Sequence, residues 1–389
     1  MANINDYLKD YGETKISKLA PLNELDQLIL ARFSYLPFKK IKLLKRETIG
    51  TIAQKMSVLK KSDFRWPEDQ EYIELLGSSK RFAKMRISDY VNNDDSNLER
   101  QFSAVTIHLN LRLLYVSYFG TDESITGWKE DFNLAVLEEI PAQVEGYNYL
   151  KRVELKYFWK KIHMGGHSKG GNVAIFAAIK AKDRIQKKIQ GVYNYDGPGL
   201  RKKIADKDTG SFKILKRIHS FIPQESVIGR LFEHQEGLTV VYSVAENVYQ
   251  HDIYSWQIKN RSFVRSKTTK RGDLINHTIN KWMQSATQEE MKIFIDGMFE
   301  IFTTVKLNNP IELMREWKRF APKIVKEFLN TPKEQKKAIS DIWWRLGESL
   351  IRSRIEQSEL LAKFNRTFKK SELKAQKHSG TKSRREKIF

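Results

Sequence analysis

The sequence predicts an α/β protein: a mainly parallel sheet covered by helices, with helical additions at both ends. Three observations lead there. Runs of β-forming residues alternate with helix-period segments between about residues 105 and 265. The glycine turns concentrate in the same stretch. Residues 273 to 365 show almost only helical periodicity. The division that follows is an N-terminal helical part over 1–100 packed on the core, an α/β core over 101–265, a C-terminal helical extension over 266–368, and a basic tail over 369–389, predicted to be disordered.

Within the core, Leu113 to Phe119 is rich in β-formers and stops at Gly120. Apolar residues at 125, 128, 132 and 136 then mark a helix. A short strand around Ile162-His163-Met164 ends in Gly165-Gly166, and Asn172 to Ala181 is a helix with a small-residue face. Further strands are expected at 192–195, 218–222 and 238–244. In the extension, Thr287-Gln288-Glu289-Glu290 fits a capping box, and Thr331-Pro332-Lys333-Glu334 repeats it with Pro at the first helical position. The apolar stripes that follow are read as core rather than as membrane-lying helices.

Composition narrows the functional classes. The chain has 389 residues, 40% of them hydrophobic, enough for a sizeable core. Lys and Arg number 69 against 47 Asp and Glu, a net charge of +22. That surplus favours anionic partners, whether nucleic acid or acidic headgroups. There is no cysteine, which excludes disulfides, cysteine metal sites and a thiol nucleophile. The N-terminus is polar and acidic, unlike a secretory leader, and no run approaches the roughly 18 apolar residues of a spanning helix. The expected location is the cytoplasm, with peripheral membrane contact left open.

The sharpest motif is Gly166-His167-Ser168-Lys169-Gly170, a G-x-S-x-G pattern between a strand and a helix. A serine in so tight a turn exposes its hydroxyl above the sheet, and the flanking glycines remove side chains that would collide. The reading is a nucleophile elbow in an α/β-hydrolase fold; the bland alternative is a tight glycine turn. Glycine order rules out a P-loop, and the histidine spacing gives no metal site.

A nucleophilic serine needs a base and the base an orienting acid, in the chain order Ser, acid, His. Sieving the eight histidines leaves His251, after the last core strand, with His234 as competitor. The acid is expected after the second strand beyond the elbow, which points to Glu225. Asp196, in Asp196-Gly197-Pro198-Gly199, is the alternative acid; its bland reading is turn chemistry. For the oxyanion hole the candidates are the amide of Lys169 and that of Thr121, the latter helped by its hydroxyl. Thr121 or Asp122 could equally cap the next helix.

The run Tyr118-Phe119-Gly120-Thr121-Asp122 with Gly127-Trp128-Lys129-Glu130-Asp131 resembles the oxyanion strand and helix of class 3 lipases, and the serine motif resembles their elbow. With Asp196 to Gly199, Pro223 to Gly229 and Gln250-His251-Asp252, the set is similar to a lipase-like α/β-hydrolase family of low-GC Gram-positive bacteria catalogued as a domain of unknown function. The similarity spans roughly residues 20 to 260. Phe119 stands where those lipases usually have Arg, Lys169 where many have an apolar residue, and Glu225 where Asp is expected.

The resulting expectation is a serine hydrolase cleaving carboxylic esters, small-molecule or, by resemblance, lipid, with no cofactor and no metal. The alternative is a non-catalytic α/β-hydrolase-fold binding module that engages anionic membrane or nucleic acid through its basic surface. The tail, with eight Lys/Arg against two Glu over Lys369–Phe389, is expected either to bind such surfaces weakly or to serve solubility alone.

Overall fold

The alternating β-rich and helical runs come together in one seven-stranded sheet. The computed structural model describes residues 2–95, 99–122, 124–201, 212–307, 312–313 and 316–355; the tail expected to be disordered lies outside them. The strands stand in the order the chain makes them: β1 (Arg86–Asp95), β2 (Arg100–His108), β3 (Leu113–Tyr118), β4 (Lys161–His167), β5 (Ile189–Tyr195), β6 (Ile218–Pro223) and β7 (Leu238–Val241). The first three pair antiparallel; β3 to β7 run parallel.

The sheet thus begins at Arg86, inside the segment the sequence marks as helical, and the division at residue 100 falls within the β1–β2 hairpin. Both strands hide their period for physical reasons. β1 is an edge strand with a single buried apolar side chain, Ile87, a bulge between Ser88 and Val91, and polar residues toward its end. β2 is covered on both faces, and Gln101, Ser103 and Thr106 are buried beside Phe102 and Ile107, so no polar–apolar alternation survives.

Each face of the sheet acquires its own layer. On one side sit α1 (Ile4–Tyr11), α2 (Glu24–Arg32), α3 (Ile49–Met56) and α4 (Asp69–Ser78); Leu28, Ile29 and Tyr72 of these helices, with Phe33 just after α2, pack with Tyr115, Tyr195 and Trp256. On the other, α6 (Pro141–Lys156) and α7 (Lys169–Lys180) bury Tyr149, Leu150 and Ala174 to Ala178 against Val116, Met164 and Val192; α5 (Ile125–Asn133) precedes them. The N-terminal helices are therefore one of the two layers that close the core. In the extension, α8 (Lys270–Gln284), α9 (Gln288–Thr304) and α10 (Trp317–Asn330) are followed by a helix over 333–355. The expected capping box is present: Thr287 Oγ1 accepts from the Glu290 amide at 3.1 Å, and the Thr287 amide donates to Glu290 Oε2 at 2.8 Å. The apolar stripe of α9 packs through Phe294, Ile295 and Phe299 on Ile339, Ile342 and Val136. Among the described residues no helix is long and apolar enough to cross a membrane.

Candidate active site

Strand β4 delivers Ser168 to the end of the sheet where the parallel strands finish. Ser168 has φ 58° and ψ −135°, a region that costs a non-glycine residue about 1–3 kcal/mol. The neighbouring glycines make that turn possible. A Cβ on Gly166 would lie 2.4 Å from the Gly170 carbonyl carbon, and one on Gly170 would lie 2.3 Å from the Tyr118 carbonyl oxygen. Ser168 donates its amide to Tyr195 O at 2.9 Å and its carbonyl accepts from Gly171 N at 2.9 Å. A mainly parallel sheet, helices on both faces and a strained serine between β4 and α7 make up the α/β-hydrolase fold expected from the sequence.

Two other chain segments converge on this turn. Asp196 directly follows β5, the strand beside β4, and takes φ 52°. Its neighbour Gly197 is pressed so close to the serine that a Cβ there would lie 2.3 Å from Ser168 O. His251 ends a 3-10 turn over Asn247–His251. Its ring lies 4.4 Å, centroid to centroid, from that of His167, the residue before the serine.

Of the two candidate acids, the structure brings Asp196 and not Glu225 to His251. Asp196 Oδ2, not a Glu225 oxygen, lies 2.6 Å from His251 Nδ1. A carboxylate accepts, so Nδ1 carries the hydrogen and Nε2 is left as the acceptor nitrogen. The second oxygen, Asp196 Oδ1, accepts from Ser226 Oγ at 2.5 Å, and Asp196 is almost wholly buried. Glu225 faces elsewhere. Its carboxylate accepts from Thr269 Oγ1 at 2.9 Å and from the Asn247 amide at 3.4 Å, and its own amide donates to Gln250 Oε1 at 2.9 Å. Glu225 thus braces the turn that carries His251. The physical reason is strand adjacency: the residue after β5 is one strand spacing, about 4.8 Å, from the serine turn, while Glu225 follows β6, a strand farther out. His234, the competing base, is paired instead with Glu236 at 2.9 Å.

Lys169 follows the serine directly, and Thr121 follows Gly120, where a Cβ would lie 2.6 Å from His167 O. Among the described residues neither of their amides donates to a protein acceptor. The Thr121 hydroxyl is engaged, reaching Asp131 Oδ1 and Oδ2 at 2.7 and 2.6 Å, and the Thr121 carbonyl accepts from Arg65 Nη1. Helix capping falls to other residues: Ser124 caps α5, and Asp122 Oδ1 accepts from the Ser124 amide at 2.7 Å.

Sequence reasoning passed over two groups. The Lys169 side chain is buried, with Nζ 2.6 Å from Glu130 Oε2 and 3.6 Å from Asp131 Oδ1. Burial raises both carboxyls above their ordinary range, and the Lys169 ammonium only partly offsets it. Burial also opposes the charge on Lys169, but Asp131 and Glu130 outweigh it and hold the ammonium above its usual value. A lysine inside a glycine-crowded turn has to find a counter-ion, and the Glu130-Asp131 pair was the signal available for it. The second is His167, set aside because it precedes the serine. Its Nε2–H donates to His251 O at 2.8 Å, which leaves Nδ1 without a hydrogen, 3.3 Å from Tyr35 Oη; that hydroxyl donates to the His167 carbonyl at 3.1 Å. Burial, then the His251 and Arg32 charges, holds His167 well below the ordinary histidine value, and the ring is neutral.

Similar solved structures include lipase II from Rhizopus niveus, 11% identical with a TM-score of 0.30, over 44% of this chain and 70% of that one. The Lip2 lipase from Yarrowia lipolytica is 11% identical with a TM-score of 0.30, over 51% and 81%. The M37 lipase is 14% identical with a TM-score of 0.33, over 52% and 69%. No curated protein matches the chain. The Mbeg1-like family model matches residues 76–300, from the end of α4 through the sheet, the serine turn and the His251 loop into α9, and the chain belongs to that family.

Proposed function

We propose that the protein is a serine hydrolase of carboxylic esters, with Ser168 as nucleophile, His251 as base and Asp196 as the orienting acid. The observation that carries this reading is the 2.6 Å contact of Asp196 Oδ2 with His251 Nδ1 beside a serine held at positive φ. A structural turn has no need of a strained serine next to a carboxylate-oriented imidazole.

His251 Nε2 takes the Ser168 proton as Oγ bonds to the ester carbonyl carbon. The imidazolium is stabilised by the ionised Asp196, whose carboxylate, accepting from Nδ1–H, keeps the ring in the required tautomer. The amides of Lys169 and Thr121 donate to the oxyanion. Collapse breaks the bond to the leaving alkoxide, which takes the proton from His251; water then attacks the acyl-serine by the same route. Asp131 would oppose an oxyanion if it stood alone. The Lys169 ammonium, 3.6 Å away and shared with Glu130, offsets part of that charge, and the Thr121 hydroxyl spent on Asp131 leaves the amide as the donor.

Reaction with a fluorophosphonate probe tests the proposal. Labelling at Ser168 is expected, absent in Ser168→Ala and strongly reduced in His251→Ala. Folded wild-type protein that takes no label would turn the reading to the non-catalytic binding module.

A further inference from the structure

At the end of the sheet opposite Ser168, the β2–β3 turn and the start of β4 wall a groove of about 850 Å³. Lys15, Arg46, Lys84 and Arg86 stand exposed around it, and Lys160, only 7% exposed, lies in its floor. No carboxylate lines it among the described residues. Two further cations at the groove are already neutralised, Lys80 by Glu13 at 2.7 Å and Arg81 by Asp26 at 2.5 Å.

Among the described residues Lys160 has no such partner. Its Nζ donates to Asn110 O at 2.9 Å and lies 3.1 Å from His108 Nδ1. Burial, and next the Lys160 ammonium, push His108 down to about 4, so the ring is neutral and accepts. The nearby carboxylate, Asp89, is taken by Lys156 at 2.5 Å and by Tyr157 Oη at 2.7 Å. A buried ammonium without a counter-ion is costly, and an incoming anion would lower that cost. The rim is apolar: Leu111 and Trp159 line the groove, Phe158 packs edge-on against Trp159, and all three are more than half exposed. Phosphates beneath a collar of Trp, Phe and Leu are what an anionic lipid–water interface presents. A nucleic-acid backbone would use the cations but would leave the exposed Leu111 without a role.

We propose that this groove docks the protein on membranes carrying anionic phospholipids, a headgroup phosphate meeting Lys160 and the exposed cations while Leu111 and Trp159 enter the interfacial layer. The surface is separate from the serine site: the seven residues of β4 put roughly 20 Å between them. Docked this way, the protein turns Ser168 away from the bilayer.

Co-sedimentation of the full chain with vesicles tests it, phosphatidylcholine alone against phosphatidylcholine mixed with phosphatidylglycerol. Binding is expected only to the mixed vesicles. The double substitution Lys15→Glu/Lys84→Glu should weaken it at least about tenfold, and Trp159→Ala should weaken it as well. The basic tail is present in every variant, so its share cancels, and thermal melting at the wild-type temperature checks that the variants fold. Variants that sediment like wild type would overturn the assignment. So would tight binding to duplex DNA with Trp159→Ala as good on vesicles as wild type, which would make the partner nucleic acid. Binding of free glycerophosphate without vesicle binding would reduce the groove to a small-anion site.

Discussion

Asp196 Oδ2 lies 2.6 Å from His251 Nδ1, although 55 residues separate them in the chain. The contact exists because β5 is laid directly beside β4, and Asp196 leaves β5 in a tight turn at positive φ. On the proposed mechanism it makes Asp196 the carboxylate that matters for turnover. Asp196→Asn should lower kcat on a soluble nitrophenyl ester by about 10³–10⁴-fold, because the amide no longer enforces the tautomer. Glu225→Gln, which keeps an acceptor for Thr269, should cost less than about tenfold. Kinetics on folded variants check both, and the reverse ranking would return the acid role to Glu225.

The buried Lys169 predicts a pH-dependent loss of stability. Lys169→Met leaves the buried Glu130 and the half-buried Asp131 without their cation, at a cost of about 3–5 kcal/mol near neutral pH. Both carboxyls are already raised by burial, and losing the ammonium raises them further. The native state of the variant therefore takes up protons more readily than its unfolded chain. Its deficit should be largest at high pH and shrink as pH falls. Urea unfolding of wild type and variant at mildly acid and alkaline pH reads this directly; a pH-independent gap would show that the charge is not the cause. Adding Glu130→Gln should recover part of the loss.

Asp252 carries a cleaner pH signature. Burial lifts its carboxyl to about 6, despite the Tyr254 amide bond that favours the ionised form. A raised acid destabilises the native state once it ionises. The penalty is complete above about 6 and vanishes as pH falls toward the ordinary aspartate value. Asp252→Asn keeps the acceptor for Tyr254 N and removes the charge, so it should stabilise the protein by about 1–3 kcal/mol at pH 8 and by almost nothing at pH 4. Thermal melts at the two pH values check it, and an equal gain at both would contradict the burial cause.

His167 is expected to act on turnover only through His251, whose carbonyl it holds at 2.8 Å and whose ring it packs against. His167→Phe should lower kcat by about 10–100-fold with KM little changed, since a small misplacement of the base is costly. His167→Gln, which can still donate to that carbonyl, should keep more of the rate. Loss of stability with kcat intact would make the residue structural only.

The sequence by itself determined whatever is encoded over a few residues. Strands β3 to β7 were legible as β-forming runs stopped by turns. The serine turn was legible because Gly166 and Gly170 must be glycine for the chain to pass Tyr118 and itself, a requirement written inside a pentapeptide. The capping box at Thr287 and Glu290 was legible for the same reason. Tertiary structure alone decided the rest. Strand β1 is a polar edge and β2 is buried on both faces, so neither shows a period until its partners are in place. Whether Asp196 or Glu225 meets His251 depends on which strand pairs with β4, and nothing local states that pairing. The partner of Lys169 comes from a helix 39 residues earlier, brought within 2.6 Å only by packing against the sheet. Local sterics can be read from neighbours in the chain; charge pairing and strand adjacency are settled by the free energy of the whole packed core.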